Sequence, residues 1–204
     1  YSVLCMDGTT HYDPVSLFPE LRDYTVCIDG MSKSFAGTGI RVGWAFGPQY
    51  IISRMRSILS HVGAWAPKAE QVATAAYLSD MEDVRHFLND FLKAINQRLE
   101  GFYQGFMELK NEGFKVDAIV PQAAIYLTVR FDLNGMKTSS GKTLNTTDDV
   151  TNFLCDEAGV AIVPFSSFGS KSNDSWYRVS VGVVKTEDIP VMLHQIRKAL
   201  ATLS

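Results

Sequence analysis

The sequence has little cysteine, no run of basic residues and no long apolar stretch, and each shortage closes off a class of function. Cys5, Cys27 and Cys155 are odd in number, far apart and flanked by apolar residues, with no C-x-x-C pair and no cysteine–histidine cluster. Metal sites and disulfide frameworks are therefore not expected, and the thiols read as reduced, core-packed residues of a cytoplasmic protein. His11, His61, His86 and His194 are scattered without ligand spacing and read as surface or packing residues. Lys and Arg number 19 against 22 Asp and Glu, a net charge of -3 that leaves no electrostatic footprint for nucleic acid. No apolar stretch approaches the roughly 18 residues of a membrane span. The start, Tyr1-Ser2-Val3-Leu4, lacks both an initiator Met and the basic region of a secretory signal. It reads like the middle of a strand-to-loop passage, so a longer parent is expected.

What remains is an ordinary globular composition, 46% hydrophobic and 20% charged over 204 residues, enough for one good core or two modest ones. Residues 1–23 hold a Gly8-centred turn and a loop with Pro14 and Pro19. Thr25 to Ile28 predicts a buried strand, and Val42 to Phe46 a second, closed by Gly47-Pro48. Ile51, Ile52, Met55, Ile58 and Leu59 recur at helical spacing up to the break at Gly63 and Pro67, and an Ala-rich helix follows from Pro67. The strongest signal is a helix over about 80–112. Val84, Leu88, Phe91, Ile95, Leu99, Phe102 and Phe106 form one stripe, Ser79 and Glu82 fit a capping box, and Gly113 stands where a C-terminal cap belongs. Such a helix spans roughly 45 Å, long enough to tie two domains together.

Beyond it, Ile125, Leu127, Val129 and Phe131 alternate with polar residues as in a half-buried strand, and a polar loop runs from Asn134 to Asn145. A helix over Asp148–Ala158 ended by Gly159, a strand over Val160–Pro164, a small polar loop over 166–175, a strand over Trp176–Val184 and an amphipathic helix over Glu187–Leu203 complete the pattern. Strands mixed with helices without strict alternation predict an α+β domain over 80–204, preceded by an α/β piece over 1–79.

The chemistry concentrates in one stretch, Gly30-Met31-Ser32-Lys33-Ser34-Phe35-Ala36-Gly37-Thr38-Gly39-Ile40-Arg41-Val42-Gly43. A single lysine sits between two serines, glycines recur after it, and an arginine lies eight residues on, all between two apolar runs. Glycines let backbone N–H groups approach an anion, and the arginine offers a planar fork of donors. A P-loop is excluded, because it needs glycine directly before the lysine and Ser32 is there. By themselves Lys33 also reads as a solvated surface lysine and Arg41 as a salt-bridge partner.

The stretch closely resembles the pyridoxal-phosphate attachment signature of the class-I/II aminotransferases, the family with the aspartate aminotransferase fold. The resemblance implies that Lys33 carries pyridoxal 5'-phosphate as a Schiff base, with Ser32 beside it, and that Arg41 binds the phosphate. Three further features agree in order. Tyr1 stands where the family has a tyrosine bonding the cofactor's phenolic oxygen. Pro121-Gln122-Ala123-Ala124-Ile125-Tyr126 loosely matches a Pro-x-Gly-x-aromatic-Tyr strand of the small domain. Pro164-Phe165-Ser166-Ser167-Phe168-Gly169 and Trp176-Tyr177-Arg178-Val179-Ser180 look like the closing pair, which makes Arg178 the holder of the substrate α-carboxylate. Arg178 alternatively points to solvent, and Arg130 is its competitor in the same domain. Trp65 reads either as a contact with a second copy, since family members often form dimers through this part, or as core packing.

The resemblance covers the whole chain but only the C-terminal half of the family's fold. It therefore implies the end of a large mixed-sheet α/β/α domain, joined by the long helix to a small α+β domain. Gly30 stands where many members have a phosphate-binding serine, Gly37 where an apolar residue is usual, and Ala123 and Phe165 where glycines are found. The aspartate that would pair with the pyridine nitrogen is expected three residues before Tyr1. The activity implied for the parent is amino-group transfer between an amino acid and a 2-oxo acid, in a cytoplasmic homodimer. Two alternatives stay open: a β-eliminating lyase using the same lysine, and a folded C-terminal module without activity. The last is the expectation for these 204 residues alone, whose two strands near Lys33 lack sheet neighbours.

Overall fold

The computed structural model describes residues 1–6, 8–171 and 173–204, and its longest element is a single helix of 31 residues, Met81–Asn111. The chain divides into two units, Tyr1–Leu92 and Lys93–Ser204, so this helix opens in the first and closes in the second. Its stripe is buried at Val84, Ile95, Leu99, Phe102, Phe106 and Leu109. Its end is set by Gly113, whose φ of 97° brings the Phe114 N–H back to the Leu109 carbonyl at 3.2 Å, a conformation glycine adopts without Cβ strain. Its start differs from the expectation. Ser79 still belongs to the preceding helix and donates its hydroxyl to the Ala75 carbonyl, while the Asp80 carboxylate accepts the N–H groups of Glu82 and Asp83 at 3.2 and 3.1 Å. The neighbouring aspartate is the cap because serine in a helix bonds back one turn.

In chain order the first unit holds a one-turn helix α1 (Pro14–Leu17), a 3-10 turn (Pro19–Tyr24), strand β1 (Cys27–Gly30) and a one-turn helix α2 (Met31–Ser34). A 3-10 turn (Thr38–Ile40), strand β2 (Gly43–Phe46), α3 (Gln49–Val62) and α4 (Lys68–Ser79) follow, and the long helix is α5. The sequence-predicted Gly8 turn borders Asp7, which lies outside the described residues. β1 and β2 pair antiparallel with Cys27 opposite Phe46 and Gly30 opposite Gly43. The expected buried strand is not buried: Ile28 is 75% and Phe46 59% exposed. An apolar run marks a strand that is able to be buried, but this ribbon has only two strands among the described residues and nothing there covers its outer positions. Cys5 and Cys27 are half-buried and Cys155 is exposed, so the thiols are free but not core-packed as expected.

The second unit is built on a four-stranded antiparallel sheet. Its strands are β3 (Val116–Ala118), β4 (Tyr126–Phe131), β5 (Val163–Pro164) and β6 (Trp176–Ser180), in the order β3-β4-β6-β5. Helices α6 (Thr147–Ala158) and α7 (Ile189–Leu200) pack against each other. Leu127, Val129 and Phe131 are buried, as their alternation predicts. A line of aromatic contacts runs through the core: Phe102 to Phe106, Phe106 to Phe131 at 5.7 Å, and Phe131 to Tyr177 at 5.7 Å, the last two edge-on. The two expected strands at the end of the chain are shorter than predicted. Only Val163 and Pro164 of the first pair with β6. The second stops at Ser180, and just beyond it Arg98 on α5 donates Nη1 to the carbonyls of Val181 and Val184, at 2.8 and 3.2 Å. α7 begins at Ile189, with Pro190 in its first turn, after a 3-10 turn over Thr186–Asp188. The predicted loop over 166–175 is partly a 3-10 turn (Phe165–Phe168), and its Ser172 lies outside the described residues.

α6 is opened by a reciprocal cap in which the Thr146 hydroxyl accepts the Asp149 N–H while the Asp149 carboxylate accepts the Thr146 N–H. The Lys142 ammonium lies 2.7 Å from the same carboxylate. The Lys142 hydrogen bond, then the Thr146 and Asn145 bonds, hold the Asp149 carboxyl well below its ordinary value of 3.8. A depressed acid pKa contributes stability above its unfolded value that is lost as pH falls through the folded one. Asp149→Asn is accordingly expected to lower the urea midpoint at neutral pH. The deficit relative to wild type should shrink once the pH drops below the ordinary carboxylate range, as read from unfolding curves at several pH values.

Candidate functional site

The backbone around Lys33 is folded by a few specific bonds. The Met31 N–H crosses to the Val42 carbonyl at 3.0 Å, and the Met31 carbonyl receives the N–H groups of Phe35 and Gly37 at 3.3 and 3.0 Å. Met31 and Ser34 are buried, so this one-turn helix is anchored on them while Lys33, between them, is exposed. Thr38 ties Ser32 to Arg41. Its hydroxyl donates to the Ser32 carbonyl at 2.9 Å, and its own carbonyl accepts from Arg41 Nη1 at 2.9 Å. Arg41 adopts a left-handed φ of 59°, a conformation that costs a non-glycine residue roughly 1–3 kcal/mol and clusters at functional sites.

Tyr1, Ser32, Lys33 and Arg41 line one depression of about 420 Å³, together with Asp29 and the Gly30–Gly43 pair. All four first-unit residues expected from the sequence are thus brought together. A larger depression of about 570 Å³ lies at the start of α3, lined by Asp23, Pro48, Gln49, Tyr50 and Ser53. It has no cationic side chain, whereas Lys33 and Arg41 outnumber the one carboxylate, Asp29, in the smaller one, which is the candidate anion site. Two residues there escaped the sequence reading. Asp29 accepts the Gly30 N–H at 2.7 Å, and Thr38 links Ser32 to Arg41. Asp29 stands just before the motif and Thr38 inside it, but only the fold shows which way their bonds run.

The glycine at position 30 is built into the ribbon. A Cβ there would stand 3.0 Å from both the Gly43 Cα and the Val42 carbonyl oxygen. Contact that close with backbone leaves no room for the serine that many similar sequences carry. Any phosphate contact at this position is made by backbone.

In the second unit Arg178 lies in the middle of β6, opposite Thr128 of β4 and Val163 of β5. It does not extend to solvent. Its guanidinium carbon sits 4.3 Å from the Tyr126 ring centroid and 4.4 Å from that of Phe168, and its buried Nε has no hydrogen-bond partner among the described residues. The competitor Arg130 is instead paired with Asp132 at 3.0 Å. A half-buried guanidinium without a carboxylate partner is the one that has donors left for a ligand. Trp65 is 51% exposed and is not a core residue. No helix among the described residues is long and apolar enough to cross a membrane.

The family model described as aminotransferase class I and II matches residues 1–196. The aspartate aminotransferase of Rhizobium meliloti (strain 1021) is 29% identical over 205 residues, covering 100% of this chain and 47% of the relative. That of Geobacillus stearothermophilus is 34% identical over 174 residues, covering 85% of this chain and 41% of the relative. The crystal structure of the Rhizobium meliloti aspartate aminotransferase superposes with a TM-score of 0.88 at 29% identity, over 100% of this chain and 48% of that one. The chain therefore spans about half the length of the curated relatives it matches.

Proposed function

The chain belongs to the class I and II aminotransferases, and from that premise we propose that its protein moves an amino group between an amino acid and a 2-oxo acid. The family is pyridoxal-phosphate dependent, and the fold is the C-terminal part of the aspartate aminotransferase fold. The observation that carries the proposal is the convergence of Lys33, Arg41, Ser32 and Tyr1 on one depression. An amine, a guanidinium fork, a hydroxyl and a phenol are the donor set that a phosphate-bearing hydroxyaldehyde needs. When bound there, pyridoxal phosphate supplies the electron sink for bond cleavage at the substrate Cα.

The chain's own residues divide the remaining work. Arg41 and Ser32 hold the phosphate end, Tyr1 bonds the phenolic oxygen, and Lys33 attaches the aldehyde end through Nζ as its Schiff-base lysine. With its amine free, Lys33 Nζ would be the base that takes the proton from the substrate Cα. Arg178 holds the α-carboxylate and so fixes which Cα bond is presented for cleavage. The named relatives are transferases, which favours transfer over β-elimination, and aspartate is the first amino donor to assay. We place the protein in the cytoplasm as a homodimer. Ile58, Val62 and Trp65, exposed on and just after α3, support contact with a second copy. We divide the chain functionally into a cofactor piece over 1–79 and a small domain over 80–204. No turnover is proposed for the 204 residues alone.

The experiment is an assay of the protein containing this chain with pyridoxal phosphate, aspartate and a 2-oxo acid. Release of ammonia or pyruvate in place of amino transfer overturns the reading in favour of the lyase. Arg41→Gln is expected to raise the dissociation constant for pyridoxal phosphate about 10- to 100-fold, the worth of hydrogen bonds to a charged group. Fluorescence titration measures it, and an unchanged constant removes Arg41 from the phosphate.

A further inference from the structure

We propose that Tyr126 and Phe168 form an aromatic clamp that restricts Arg178 to planar, edge-on anions and so makes the carboxylate end of the site selective against tetrahedral ones. The proposal rests on the reading of Arg178 as a carboxylate holder and adds the residues that shape it.

The two rings lie 4.3 and 4.4 Å from the guanidinium carbon, each within cation–π range. They come from different elements, Tyr126 from the start of β4 and Phe168 from the 3-10 turn after β5. Phe168 is supported in turn by Phe165, whose ring meets it at 6.1 Å and an interplanar angle of 67°. Gly169, at φ 95°, ends the turn. The geometry replaces what a buried arginine ordinarily has. No carboxylate pairs with Arg178 among the described residues, whereas the neighbouring Arg130 has Asp132. Ring faces stabilise the cation without using its N–H groups, which point outward in the guanidinium plane. The guanidinium donors form a fork in one plane, which a carboxylate matches with two coplanar oxygens. A phosphonate carries a third oxygen out of that plane.

Tyr126 and Phe168 are positioning residues, acting through Arg178. The test follows the Arg178 Nε resonance by NMR in the protein containing this chain, titrated separately with succinate and with methylphosphonate. Wild type is expected to bind succinate in preference, with slow rotation about the Nε–Cζ bond. Phe168→Leu keeps the volume and removes the ring face. It is expected to weaken succinate about fivefold, to speed the rotation and to narrow the preference. Phe168→Tyr is expected to restore all three, and Phe165→Gly to give an intermediate result. Equal succinate affinity and rotation in wild type and Phe168→Leu overturn the clamp while leaving Arg178 as the carboxylate holder. Succinate binding that survives Arg178→Gln overturns that holder and the clamp with it.

Discussion

Lys33→Ala abolishes amino transfer by the protein containing this chain, lowering the rate by at least about 10⁴-fold, and it ends the retention of pyridoxal phosphate through gel filtration. The size follows from the two tasks assigned to one atom. In the proposed role Nζ both attaches the cofactor's aldehyde and serves as the base at Cα, and loss of a base alone costs about 10²–10⁴. Residues that act as a unit lose still more together. Lys33 is the one lysine lining its depression among the described residues, so no neighbour takes over. Lys33→Arg does not rescue, since a guanidinium stays protonated and is not a nucleophile. The fold is unaffected, because Lys33 is exposed while its flanking anchors Met31 and Ser34 are untouched. Circular dichroism of the variant separates loss of chemistry from loss of structure. Transfer at a tenth of the wild-type rate would remove Lys33 from the mechanism.

The second large effect is on stability. Phe106 is 1% exposed on α5, and its ring meets Phe131 of β4 edge-on at 5.7 Å, with Phe131 meeting Tyr177 of β6 the same way. Phe106→Ala therefore opens a cavity where the helix meets the sheet and is expected to destabilise the second unit by about 3–5 kcal/mol. Phe106→Leu keeps most of the volume and is expected to cost distinctly less. Urea unfolding followed by tryptophan fluorescence reads both. Equal midpoints for the two variants would contradict the account of this core.

Legibility in the sequence followed the range of the interactions. The α5 stripe, its Gly113 stop and the alternation of β4 are local patterns, and local periodicity is enough to specify them. The Lys33–Arg41 stretch is equally local, since its anchoring bonds join residues within one short segment and the adjoining strand. Ser32, Lys33 and Arg41 around one depression were readable for that reason, whereas Tyr1 at the start of the chain was expected only from the family resemblance. What the sequence did not show depends on neighbours. Ile28 and Phe46 are apolar, but exposure is decided by how many strands pair with theirs. β3 has an aspartate in its middle and only three residues, and it exists because β4 lies beside it. The carbonyls just past the end of β6 are bonded by Arg98, which lies more than eighty residues earlier on α5. The choice of Asp80 over Ser79 as a cap turned on one residue of helix phase. Arg178 was legible as a motif, but its rings are not: Tyr126 and Phe168 reach it through sheet register and a turn, which no spacing along the chain encodes.

The central claim is that Lys33 is the residue that attaches the cofactor. The most direct measurement is borohydride reduction of the protein with pyridoxal phosphate, followed by proteolysis and mass spectrometry of the peptides. The account predicts a single phosphopyridoxyl label on the peptide containing Lys33, absent from Lys33→Ala and weakened in Arg41→Gln at limiting cofactor. A label spread over surface lysines with Lys33 unmodified would contradict it.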